Sequence, residues 1–170
     1  PIELDRRPTA LACDPAGELL ALGVANSRVV LFALATGAER RSFRVPPGRV
    51  RDYSVRQLAV SPDGARVAAR WGKGGAVTVW DATPNGTGRP LAEIVPETKR
   101  QTGLAYSPDG RTLAVSSADG TVTFYDAATF AERARFAWRA GPLSGVAFAP
   151  DGLTCAAGGD RGRVVVWDVG

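Results

Sequence analysis

The 170-residue chain has no histidine, no methionine and only two cysteines. It also lacks any apolar run near the roughly eighteen residues that would suggest a membrane span. Without histidine, the commonest general base and the commonest zinc ligand are both missing. Cys13 and Cys155 each lie in an apolar, strand-like stretch; they make no disulfide framework and read as buried free thiols. The opening PIELDRRPTA carries neither an initiator methionine nor a hydrophobic signal region. The expectation is a segment of a longer or processed chain, with the cytoplasm the favoured location.

What the chain has in quantity is glycine, twenty residues, and proline, twelve, spread at intervals rather than clustered. Regular turn formers are what an all-β chain of many hairpins requires. The stretch 104–126, LAYSPDGRTLAVSSADGTVTFYD, shows the unit. It has three short apolar runs, at 104–106, 112–115 and 122–125. Ser107-Pro108-Asp109-Gly110 separates the first two: proline presets a type I turn, and Gly110 can close it at positive φ. Asp119-Gly120 separates the last two, a hairpin pair in which both positions tolerate left-handed backbone. The prediction is a three-stranded antiparallel meander, with no stretch that repeats at helical spacing.

The unit recurs. Its turn prolines are Pro15, Pro62, Pro108 and Pro150, spaced 47, 46 and 42 residues apart. The strand before each turn reads Leu11-Ala12-Cys13, Leu58-Ala59-Val60, Leu104-Ala105-Tyr106 and Val146-Ala147-Phe148. The third strand ends Phe32-Ala33, Trp80-Asp81, Tyr125-Asp126 and Trp167-Asp168. A period in the forties, four strands per unit and a Trp-Asp ending are similar to the WD40 repeats of β-propellers, over nearly the whole chain.

That resemblance implies an all-β propeller segment of four blades, each of four antiparallel strands, over residues 1–170. The blades fall at about 9–45, 55–95, 101–137 and 143–170. Residues 1–5, with an apolar run at 2–4, fit the outer strand of a preceding or closing blade; the last blade lacks its own outer strand or takes it from the N-terminus. Four blades are fewer than the family's usual ring. Completion by further repeats or by a second copy is therefore expected, since repeat units do not bury their apolar faces alone. The family's Gly-His pair is absent, so the hydrogen-bond networks around Trp80, Trp167, Asp119 and Asp160 should be incomplete and packing must replace them.

Leu11, Leu58, Leu104 and Val146 should be equivalent core positions. Sorting the loops by strand polarity places twelve cations against five acids on one face, hidden within a net charge of +4. The candidate partner contacts there are Arg49, Arg51, Arg70, Trp71, Lys73, Arg100, Trp138, Arg139 and Arg161. The two tryptophans are possible anchors, or else pack against loop backbone. The opposite face collects Asp63, Asp109 and Asp151 in turns and Asp81, Asp126 and Asp168 at strand ends; each recurs because the blade recurs, which argues against paired catalytic carboxylates.

The resemblance implies a non-catalytic scaffold that binds a protein or peptide, and the basic face favours an acidic one. Nucleic acid is the alternative partner, suggested by a pI near 9.6. No membrane partner, catalytic residue, metal or cofactor is expected.

Overall fold

The computed structural model describes residues 2, 7–25, 27–45, 54–95 and 100–169. Among them are fifteen strands and no helix. The chain packs as two compact units, Pro1–Val95 and Pro96–Gly170.

In the first unit, β1 (Pro8–Cys13), β2 (Leu19–Val24), β3 (Arg28–Ala33) and β4 (Glu39–Arg44) form one antiparallel sheet in chain order. A second sheet follows, made of β5 (Val55–Val60), β6 (Arg66–Trp71), β7 (Ala76–Asp81) and β8 (Pro90–Ile94). β1 and β2 face β5, and the seam between the sheets is filled by Leu19, Val29, Leu31, Val55, Leu58 and Val67, with Phe43 and Trp80 stacked at 5.5 Å. Gly23 lies where the seam is tightest, because a Cβ there would meet Val55 at 2.7 Å.

In the second unit, β9 (Gln101–Tyr106), β10 (Thr112–Ser117), β11 (Thr121–Asp126) and β12 (Glu132–Ala137) form a four-stranded sheet. β13 (Leu143–Phe148), β14 (Thr154–Gly159) and β15 (Val164–Asp168) form a three-stranded one. This is the expected all-β set of blades, with no outer strand on the last sheet among the described residues. The proposed outer strand at 2–4 lies outside the described residues except for Ile2, which packs on Leu22, Val24, Val30 and Phe32 of the first sheet.

The Pro-containing turns repeat almost atom for atom. Gly64 and Gly110 donate their amides to Ser61 O and Ser107 O, each at 2.9 Å, with φ of 66° and 71°. Each serine hydroxyl donates to the turn aspartate, at 2.5 Å to Asp63 and 2.6 Å to Asp109, and accepts from the amide five residues on. In the first repeat Asp14 stands in the serine's place, and its Oδ1 accepts from the amides of Glu18 and Leu19.

The 82–89 connection of the first unit is held differently. Asp81 Oδ1 accepts from the Thr83 amide and hydroxyl, while the Arg41 guanidinium on β4 donates to the carbonyls of Thr83, Pro84 and Gly86.

Four expectations need correction. Leu11 is 69% exposed, whereas Leu58 is 5%, Leu104 3% and Val146 9% exposed. Cys13, on the same face of β1 as Leu11, is also exposed. Repetition places both residues on a face that a neighbouring sheet would cover, and within this unit only the other face of β1, with Ala10 and Ala12, meets the seam. Third, Asp119 does not share the left-handed conformation of Gly120, whose φ is 90°. Its carboxylate instead folds onto the Thr121 amide and hydroxyl. Fourth, Trp71 is a core residue: it is 7% exposed and its Nε1 donates to Thr78 Oγ1 at 2.8 Å. Cys155 is buried as expected, and burial pushes its thiol up to about 11.

Two of the expected networks are incomplete at their tryptophans. Trp80 Nε1 and Trp167 Nε1 are buried with no acceptor among the described residues. Aromatic packing holds these rings instead: Trp80 lies on Phe43, and Trp167 lies 5.8 Å from Phe136 and 4.2 Å from Trp138.

Candidate functional site

In the second unit the basic candidates converge where three backbone segments meet: the β10–β11 hairpin, the β12–β13 connection and the β14–β15 hairpin. Glycines permit the approach. A Cβ on Gly120 would lie 3.0 Å from Gly141 O, and one on Gly159 would lie 2.9 Å from Ala140 O. The Asp160 amide donates to Pro142 O at 3.0 Å, tying the last hairpin to the connection.

On this base Trp138 is half-buried, its ring stacked on Phe136 with 9° between the planes. Arg139 is exposed beside it, and its carbonyl accepts from Arg163 Nη1 at 2.9 Å. Arg161 runs over Gly141, with its Cδ 3.1 Å from the position of a Cβ there. Arg100 lies at the start of β9 beside the first hairpin, where its carbonyl accepts from the Ala118 amide at 3.0 Å. A cavity of about 350 Å³ opens between Trp138, Arg139, Ala140, Arg163, Val164 and Val165.

Arg139, Arg161 and Arg163 form no ion pair among the described residues. Two acids lie on this base: Asp160 is exposed beside Arg161 in the last hairpin, whereas Asp119, in the first, is occupied. Burial raises its pKa, but hydrogen bonds from Thr121 and Ser117 outweigh that and hold the carboxyl below its ordinary value. Arg139 and Arg163 thus line the cavity at the half-exposed Trp138 without an ion-pair partner among the described residues, and Arg161 lies over Gly141, a set able to capture carboxylates and an apolar group together.

The first unit supplies Arg70, half-buried at the end of β6, and Lys73, exposed in the β6–β7 hairpin; Trp71 beside them is withdrawn into the core. Arg49 and Arg51 lie outside the described residues. Arg163 was countable on the basic face, but its role emerges only from its contact with the Arg139 carbonyl. The three glycines that let the loops meet were the available signal for it.

No group of three His, Cys, Asp or Glu side chains could hold a metal ion among the described residues. The recurring aspartates serve their own turns: Asp63, Asp109 and Asp151 accept from the amides of Ala65, Arg111 and Leu153, and Asp126 from those of Ala128 and Thr129.

The model of the WD domain, G-beta repeat, matches residues 88–126 and 136–168. Each match begins in or just before one sheet's outer strand and runs through the three strands of the next. The chain belongs to the WD40-repeat family. A Drosophila melanogaster "Protein LST8 homolog" is 32% identical over 130 residues, which are 74% of this chain and 40% of that protein. An uncharacterized WD repeat-containing protein of Synechocystis is 32% identical over 122 residues, 71% of this chain and 32% of that protein. The crystal structure of RRP9 WD40 repeats matches 98% of the chain and 49% of its own, with TM-score 0.75 and 19% identity, a likeness of fold alone. The chain thus spans less than half the length of these WD40 relatives. WD40 repeats generally act as protein-interaction scaffolds.

Proposed function

We propose that this WD40 chain is a non-catalytic module that holds an acidic segment of a partner protein on its basic loop face, with Trp138, Arg139, Arg161 and Arg163 as the principal contacts. The observation that carries this reading is that Arg139, Arg161 and Arg163 have no ion-pair partner among the described residues, while Arg139 and Arg163 line the cavity at the half-exposed Trp138. Exposed guanidinium groups raise the local concentration of an acidic ligand, and an aromatic anchor supplies the contact that outlasts salt. Arg100 extends the positive face of the second unit, and Arg70 and Lys73 of the first unit, with Arg49 and Arg51, are further candidate contacts on sequence grounds.

The test uses a fluorescent peptide of glutamates around one leucine. Reversing Arg139, Arg161 and Arg163 together to Glu should weaken binding at least about tenfold, a change of about 1.4 kcal/mol. Reversing Arg89 and Arg133 should leave it unchanged. Trp138→Ala should remove the part of the affinity that persists at high salt. Equal losses from both charge sets would overturn the reading. So would a preference for duplex DNA whose affinity falls steeply with salt and ignores Trp138.

A further inference from the structure

The opposite end of the same sheet–sheet seam carries a second cavity, and the geometry points to a site for a lysine or arginine side chain of a partner peptide. The cavity, about 310 Å³, opens between the β9–β10 turn and the β13–β14 turn. The two turns touch, with Pro108 Cδ 3.7 Å from where a Cβ of Gly152 would be. Phe124 and Phe148, with centroids 5.5 Å apart, line it, and Leu153 and Val169 add apolar wall. Asp109 and Asp151 stand at its rim.

The volume is at the small end for ligand pockets and suits one long side chain. Its chemistry selects which. Each aspartate spends one oxygen on its own turn: Asp109 Oδ1 accepts from the Ser107 hydroxyl and the Arg111 amide, and Asp151 Oδ1 from the Leu153 amide. Each Oδ2 accepts from no described residue, so two carboxylate oxygens remain for a visiting cation. No cation is among the lining residues, although Arg111, outside the cavity, contributes electrostatically to Asp109. An aliphatic stem can lie along Leu153 and Val169 while its charged end meets the aspartates and the ring faces. An acidic ligand would meet two like charges and is excluded. This site is independent of the basic face, and the two charges lie one strand length apart, roughly 20 Å.

The experiment titrates the full chain with the capped pentapeptide Ala-Ala-Lys-Ala-Ala and its norleucine counterpart, followed by amide NMR. The lysine peptide should give saturable shifts at Gly110, Gly152 and Leu153, and norleucine should bind at least about tenfold more weakly. D109N together with D151N keeps each Oδ1 as a turn acceptor and removes the charge, so it should abolish the difference between the peptides. Separately, R139E/R161E/R163E should leave the lysine titration unchanged, which distinguishes failure here from failure of the basic face. Equal binding of the two peptides, shifts confined to other residues, or an unaltered lysine titration in the double variant would each overturn the proposal.

Discussion

The two units apply one blade plan to seams of different character. The first fills its seam with aliphatic side chains, withdraws Trp71 behind a hydrogen bond to Thr78, and stacks Trp80 on a single Phe43. The second replaces Leu31 and Val60 of that seam with Phe124 and Phe148, and continues them through Phe136, Trp138 and Trp167. Branched aliphatic side chains interlock and fill the middle of a seam, while flat rings stack along a line; both seams open at an end, the first in a cavity of about 400 Å³ between Arg7, Pro8, Thr9, Ser54, Val55 and Arg56. The openings at Trp138 and at Phe148 are where the second unit can meet a partner. Seam composition, rather than strand pattern, is what differs between the two units.

The comparison can be broken most directly at its core. Leu58→Ala should destabilise the chain by about 2–5 kcal/mol in chemical denaturation, since Leu58 is buried in the filled middle of its seam and leaves a void there. Phe148→Ala removes a larger side chain yet should cost no more than that, because its site already borders a cavity. Leu11→Ala should fall within about 0.5 kcal/mol. A Phe148 loss well above the Leu58 loss would mean the aromatic seam is as tightly filled as the aliphatic one.

A smaller effect separates the tryptophans. Trp71→Phe leaves the buried Thr78 hydroxyl without its donor and should cost about 1–3 kcal/mol. Trp167→Phe deletes an N–H that has no acceptor among the described residues, and should cost less, under about 1.5 kcal/mol. Reversal of that order in thermal or denaturant unfolding would restore a hidden partner to Trp167.

The smallest effect is electrostatic and common to both units. The Ser61 hydroxyl holds the Asp63 carboxyl below its ordinary 3.8, and the Ser107 hydroxyl does the same for Asp109. A depressed carboxylate contributes its stability above 3.8 and loses it as pH falls through the lower folded value. Carbon-detected NMR titration should therefore find Asp63 and Asp109 titrating below 3.8, and Ser107→Ala should move only Asp109 back toward it. Absence of any upward movement would remove the hydroxyl as the cause.

Strands and turns were legible because their determinants are local. Ser-Pro-Asp-Gly specifies a turn within four residues, and Trp-Asp marks a strand end wherever it falls. Leu11 and Cys13 were misjudged for a related reason. A repeat shows which side of a strand faces between sheets, but not whether a sheet lies there within the unit. The Trp138 site was half visible. Its cations could be counted, yet their grouping depends on Gly120, Gly141 and Gly159 bringing together segments roughly twenty residues apart, which no local signal encodes. Trp71 illustrates the converse, since its destination depended on a hydroxyl seven residues on and across a hairpin.

Arg41 has one more consequence. The guanidinium grips the 82–89 connection through main-chain carbonyls, and a carbonyl is the same whichever side chain accompanies it. Gly86 is fixed, because a Cβ there would meet Asp81 Cγ at 2.7 Å, but Pro84 and Asn85 are exposed, and of the two only the Pro84 carbonyl takes part in the grip. The clamp and the clamped sequence are thus decoupled. Such a loop can exchange its exposed letters without renegotiating its shape, which makes it a natural place for drift among relatives and a ready-made handle for grafting a foreign epitope onto the blade.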